Sequence, residues 1–362
     1  MSEVKELLQQ GGFKLPDLKG VNSMSVFTLE IALESFFSTG KALSTLTGRM
    51  DADNKVENPE EDYRHNYVKN AVESIIHLHH FLELVIKDVL RTVHPSLAND
   101  IPSNPVILEK ILNGKPLNSA EDQPTKTVEF SGALKRILPL IKAGVVPADY
   151  LFIEQASEWL DEINQLRNRI MHRGVYVLRH ETLDELFGKY VFPFLTRLFS
   201  TPLYAGKMSS WKYTPLDCGI DPIDEMVNAF SSRSSYDTKE FILWKLLATA
   251  AYDNPIMPVS NPLAASGVTG VLNKYADSIN KEKVELAKSK ADELLIANRA
   301  STTDKCPVCG VDSLLVFEDN EETTTGDLIL VCQGLTCTCC GFDINNNIPI
   351  ASISSYLSKR YW

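Results

Sequence analysis

Two groups of residues in this 362-residue chain have the types and spacing to do chemistry. The first is a cysteine cluster. Six of the seven cysteines fall between positions 306 and 340: Cys306, Cys309, Cys332, Cys337, Cys339 and Cys340. Cys306-Pro-Val-Cys309-Gly310 is a Cys-x-x-Cys-Gly knuckle, and Cys337-Thr-Cys339-Cys340-Gly341 supplies a second through Cys337 and Cys340. Two thiolates from each of two tight turns make the tetrahedral sulfur set that zinc favours. Glycine after the second cysteine lets the backbone bend and aim amide N–H groups at the sulfurs. Four protein ligands leave no open coordination position, so the expected ion is structural rather than catalytic. Cys339 is the alternative ligand within the second knuckle, Cys332 is spare, and Cys218, with no histidine near it in sequence, reads as an inert thiol.

The second group is Arg167-Asn168-Arg169-Ile170-Met171-His172. Asn168 and His172 are four residues apart and therefore share a helix face, with Arg167 about 100° away and within reach of the same cleft. From Ile163 to His180 there are four arginines, Arg167, Arg169, Arg173 and Arg179, and no acid. Imidazole is the side chain that ordinarily titrates near neutrality, and a guanidinium holds a phosphate in its planar fork. A proton shuttle beside a charge clamp is the minimum for phosphodiester chemistry. No cluster of carboxylates for a two-metal mechanism lies nearby.

These residues need elements to hold them. A helix over 22–47 carries Phe27, Ile31, Leu33, Phe36 and Phe37. A long helix, about Tyr63 to Val93, repeats Val68, Val72, Ile75, Leu82, Ile86, Val89 and Val93 at the alternating spacing of a buried stripe, and Pro95 ends it. Segment 95–148 reads as short helices between loops, and Asp51 to Asp62 as an acidic loop. A helix over 148–172 stops at Gly174, a suitable left-handed cap, and one over 181–199 contains Pro193 as a kink point. Further helices are expected over 238–252 and 270–299. Strands at 314–317 and 328–332, with turn signals at Asp319-Asn320 and Thr325-Gly326, make a hairpin. The expected fold is therefore mainly α, with a helical domain over 1–202 that holds the insertion 95–148, a helical middle region over 203–303, and a small β unit over 304–362.

Net charge is −11 and 44% of residues are hydrophobic, the balance of a water-soluble protein. No apolar run approaches the roughly 20 residues of a membrane span, so no membrane partner is expected. Clustered cysteines and an N-terminus without a secretory pattern place the chain in a reducing cytoplasm. The acidic total opposes non-specific nucleic-acid coating but not a local basic site. The β unit holds three basic residues against eight acids, which argues against it as a phosphate-binding surface. His79 completes the apolar stripe of the long helix and reads as a core or cleft histidine, while His77 and His80 lack carboxylates at ligand spacing. Glu83 and Lys87 read as a helix ion pair, and Trp211, Tyr213 and Trp244 as core. No phosphate-cradling glycine loop is present.

Two resemblances add to this. The paired knuckles with a hairpin between them resemble a zinc ribbon. Arg167-Asn168-x3-His172, followed by Arg173-Gly174 late in a helix, resembles the Rx4–6H motif of HEPN domains. The long helix Asn70 to Leu90 is similar to the long helix of HEPN proteins, and the likeness spans roughly 20–200. HEPN membership implies a helical bundle and an endoribonuclease that needs no metal for catalysis. By that resemblance Arg167, Asn168 and His172 are catalytic, the histidine acting as base or acid at the ribose 2′-hydroxyl. Arg169 and Arg173 are placed to bind the RNA substrate. It also implies a homodimer with a composite cleft, an antitoxin or another protein as partner, and a toxin or antiviral role. The alternative is a non-catalytic HEPN interaction module that binds a partner protein or nucleic acid, in keeping with the acidic total.

Overall fold

A computed structural model describes residues 15, 18, 20–45, 47, 65–100, 105–115, 127–174, 176–207, 211–232, 237–256, 269–297, 299–322, 328–345 and 348. It is mainly α, with a four-stranded antiparallel sheet near the C-terminus. The chain divides into two compact units that interleave in sequence. Unit 1 is 1–31, 75–174 and 197–207; unit 2 is 32–74, 175–196 and 208–362. The boundaries fall inside helices α1 (Ser23–Ser44) and α2 (His65–Val93), so each contributes a segment to both units.

Unit 1 is built on the C-terminal part of α2, followed by α3 (Pro105–Leu112), α4 (Phe130–Lys142) and α5 (Ser157–Arg173). Ile75, Leu82, Ile86 and Val89 of the expected stripe are buried. They share the unit with buried Phe130, Ala133 and Ile137 of α4 and Leu160, Ile163, Leu166 and Ile170 of α5. Burial of each such aliphatic side chain contributes about 1.5–3 kcal/mol before entropy is charged against it. Pro95 ends α2 as expected, and His94 caps the 3-10 turn that follows by accepting from the Ser96 amide. Asp88 ties distant segments together: its carboxylate accepts from the Asn22 amide at 3.0 Å, the Tyr204 hydroxyl at 3.2 Å and Arg91 at 2.7 Å.

The helix expected over 148–172 is interrupted. A 3-10 turn (Ala148–Tyr150) and one α-turn (Phe152–Gln155) precede α5, with the break at Ala156. Gly174 ends α5 with φ +64°, the left-handed cap anticipated, and its amide bonds to the Ile170 carbonyl at 3.1 Å.

In unit 2 the segment with Pro193 is α6 (His180–Glu185), a π-turn over Leu186–Val191, and α7 (Phe192–Ser200), which runs on into unit 1. The Phe192 amide reaches back to Phe187 rather than Gly188. Proline has no N–H, and its ring would strike the carbonyl four residues earlier, so one extra residue in the turn relieves both problems. Gly188 sits in that turn, where a Cβ would lie 2.5 Å from the Phe230 ring.

α8 (Pro222–Ser232), α9 (Thr238–Tyr252) and α10 (Thr269–Ile296) follow. Asp237 caps α9 by accepting from the amides of Lys239 and Glu240. α9 is buried almost all round, including Lys245, whose ammonium pairs with Asp184 and donates to the Thr39 hydroxyl at 2.9 Å. It also lies 4.6 Å from the centre of the Phe36 ring. Gly40 makes this possible, because a Cβ there would stand 2.5 Å from Lys245 Cβ. Next to the pair, burial and the Lys245 charge push His180 down to about 3, so its 3.4 Å approach to Glu181 is no ion pair at neutral pH. Trp211, Tyr213 and Trp244 are core residues, as read.

The sheet runs β1 (Thr302–Lys305), β2 (Asp312–Glu322), β3 (Leu328–Cys337) and β4 (Asp343–Asn345) in sequential antiparallel order. The two central strands are longer than expected. Asp319 and Asn320 do not turn; they pair with Val331 and Leu330 inside the ladder. Cross-strand bonding at an exposed edge overrides their weak intrinsic preference for turns. Gln333 is a bulge between the Phe317–Gly334 and Glu318–Cys332 pairs. The acidic loop over 51–62 and the Thr325-Gly326 turn signal lie outside the described residues. No helix among the described residues is long and apolar enough to cross a membrane.

Candidate functional site

The last turns of α5 carry the first candidate, wholly within unit 1. Leu160, Ile163, Leu166 and Ile170 point into the core. This leaves Asn164, Arg167 and Asn168 half-buried on an adjoining face and Arg169, His172 and Arg173 exposed. Arg167 Nη1 donates to Asn168 Oδ1 at 3.0 Å, so the first two residues of the motif are joined. Among the described residues Arg167 has no carboxylate partner. A partly desolvated guanidinium without a counter-ion presents its remaining N–H donors to an external anion. His172 stands one turn beyond Asn168, exposed and not hydrogen-bonded to either of them.

α2 meets this face of α5 at His79. His79 is 6% exposed, and its Nε2 lies 3.0 Å from Asn164 Oδ1. Its ring meets the Phe130 ring edge-on, with centroids 4.9 Å apart. Burial lowers the pKa of His79, and the Arg167 charge adds to this against Glu83, which opposes it. Two turns on, Lys87 forms the expected ion pair with Glu83 at 2.5 Å and donates to Thr127 Oγ1 at 3.0 Å. Asn164 is the residue that sequence reasoning missed. Its signal was its position, three before Arg167 and four before Asn168.

Set against protein-family models, curated proteins and solved structures, the chain matches none.

The second candidate is the cysteine centre in unit 2. The sulfurs of Cys306, Cys309, Cys337 and Cys340 all lie within 4.8 Å of one another, the only such group of metal-ligating side chains among the described residues. Cys306–Cys340 and Cys309–Cys337 are each separated by 3.7 Å. A regular tetrahedron with 2.3 Å metal–sulfur arms has edges of about 3.8 Å, so the donor set fits zinc. The two knuckles repeat one geometry. In each, the amide two residues after the first cysteine (Val308, Cys339) points at its sulfur from 3.4 Å. Gly310 and Gly341 adopt φ +72° and +71° and bond back to the Cys306 and Cys337 carbonyls. Cys339 thus occupies the place that Val308 takes in the first knuckle, outside the four-sulfur set. Without an ion the sulfurs share protons in pairs, Cys306 with Cys340 and Cys309 with Cys337, and a cation would replace this sharing.

The ribbon is fastened to other parts of its unit. The amides of Asp217 and Cys218 bond to the Val308 and Pro307 carbonyls, and Lys305 pairs with Asp217 at 2.6 Å. The Thr338 hydroxyl donates to the Ala287 carbonyl of α10 at 2.8 Å, and Lys288 meets Asp312 at 3.2 Å.

Proposed function

We propose that the chain is a metal-independent endoribonuclease of the HEPN type, with Arg167, Asn168 and His172 as its machinery. The observation that carries this reading is the half-buried Arg167 guanidinium, bonded to Asn168 and without a carboxylate counter-ion among the described residues. His172 takes the proton of the ribose 2′-hydroxyl. The freed oxygen attacks the adjacent phosphorus, and the bond to the 5′-oxygen breaks. That oxygen leaves with a proton from the His172 imidazolium of a second copy in a homodimer. The products are a 2′,3′-cyclic phosphate and a 5′-hydroxyl. Arg167 balances the charge that grows on the phosphoryl oxygens, while Arg169 and Arg173 meet flanking phosphates. Cys306, Cys309, Cys337 and Cys340 hold a zinc ion that cross-links the ribbon and takes no part in cleavage.

Purified protein is expected to cut single-stranded RNA in EDTA and leave cyclic-phosphate ends. Arg167→Ala and His172→Ala should each lose at least about 100-fold in rate. Growth arrest on expression, relieved by the same substitutions, is the expected cellular counterpart. A His172→Ala protein that cuts as fast as the wild type refutes the mechanism.

A further inference from the structure

His79 plays no part in the chemistry proposed above, yet it lies beside the motif. It is a buried imidazole on α2 that touches α5 through one polar contact, the 3.0 Å approach to Asn164. Asn164 stands three residues before Arg167 and four before Asn168, so the three side chains share one face of α5. Arg167 is bonded to Asn168 and lies within electrostatic range of His79. Asn164, Arg167 and Asn168 therefore form a polar strip, and its N-terminal end is anchored to a different helix.

Three groups bear charge on the His79 ring: Glu83 and His80 from its own helix, and Arg167 from α5. Phe130 of α4 closes the ring from one side. A neutral imidazole in this place does two things that an apolar residue cannot. It satisfies the Asn164 amide, which would otherwise be half-buried with one fewer partner. It also leaves the guanidinium unneutralised, where an acid would form an ion pair and spend the charge.

We infer that His79 is a positioning residue for Arg167, acting through Asn164 to hold the guanidinium in place for an RNA phosphate. The inference rests on the nuclease reading for its biological meaning, but not for its geometry. A change at His79 should act as a small displacement of the charge clamp. Errors of about 1 Å in such groups cost up to roughly 100-fold in rate.

The test uses the full-length protein with His79→Leu, His79→Gln and Asn164→Ala. Leucine removes the contact with Asn164, whereas the terminal amide of glutamine lies close to the place of Nε2 and restores it. In RNA cleavage under EDTA, His79→Leu and Asn164→Ala should each lower kcat by about 10- to 100-fold with little change in KM. His79→Gln should return to within about threefold of wild type. The second readout needs no catalysis: the Arg167 Nε–Hε resonance, assigned by its loss in Arg167→Lys, reports the order of the side chain by 15N relaxation. It should be rigid in the wild type and His79→Gln, and mobile in His79→Leu.

The outcomes separate the two claims. If His79→Leu cleaves like the wild type, or leaves Arg167 as rigid as before, the positioning role is overturned. If His79→Gln is as impaired as His79→Leu in both readouts, His79 matters through its bulk and the inference also fails. If the wild type cuts no RNA while Arg167 loosens in His79→Leu and stiffens in His79→Gln, the positioning stands and the nuclease reading falls.

Discussion

Replacing Lys245 with methionine should destabilise unit 2 by about 3–5 kcal/mol, although methionine is closer to the ideal core residue. Lys245 is 0% exposed and Asp184 1% exposed, so neither charge reaches water. Burial pushes the Lys245 ammonium below the ordinary lysine range, and Asp184 opposes that shift. Methionine keeps the stem and the packing against Phe36, but takes the cation from Asp184 and the donor from Thr39. The cost is thus that of a buried carboxylate stripped of its counter-charge. The double variant Lys245→Met with Asp184→Leu removes both charges and should recover all but about 1 kcal/mol, or exceed the wild type. The assay is urea unfolding at 25 °C followed by tryptophan emission. With Trp159 and Trp362 changed to phenylalanine, Trp211 and Trp244 remain as reporters within unit 2. A single variant within about 1 kcal/mol of wild type would refute the argument. So would a double variant as unstable as the single, since removing the stranded Asp184 carboxylate would then relieve nothing.

Two further outcomes follow from groups already described. His180 is held at about 3 in the folded chain and titrates near 6.5 when unfolded, so between those values the unfolded state binds more protons. Its stabilisation is complete above pH 6.5 and is lost at about 1.4 kcal/mol per unit as pH falls toward 3. The slope of stability against pH in that window should therefore flatten in His180→Phe. The ribbon should carry one zinc per chain by elemental analysis: Cys306→Ser loses it, and Cys339→Ser and Cys332→Ser keep it. Stripping the ion with a strong chelator should raise hydrogen exchange along β2 and β3.

The parts most legible in the sequence were those whose cause is local. α9 begins and ends where expected because an aspartate cap precedes a run that is mostly apolar, with Lys245 inside it. The knuckles follow from five-residue patterns, and Gly174 from one glycine after a basic turn. Long-range causes were not legible. β1 and β4 are short and take their hydrogen bonds from neighbours, so their own composition carries little signal. The π-turn before Pro193 was foreseen only as a kink. The Lys245–Asp184 pair joins residues 61 apart, and the His79–Asn164 contact joins helices separated by the insertion. Neither lysine nor asparagine announces such burial from its place in a helix, because polarity alone points such a residue to solvent.

The interleaving of the two units has a consequence in time. Unit 1 is complete in sequence once residue 207 has been made, and it contains His79, Asn164, Arg167, Asn168 and His172. The second knuckle, which closes the cysteine set, ends at Cys340. At about 5–20 residues per second, the ribosome needs roughly 7–27 s to cover that interval. The nascent chain therefore holds every residue of the candidate site well before it holds the last sulfur of its cross-link. A product truncated between the two points would keep the first and lack the second.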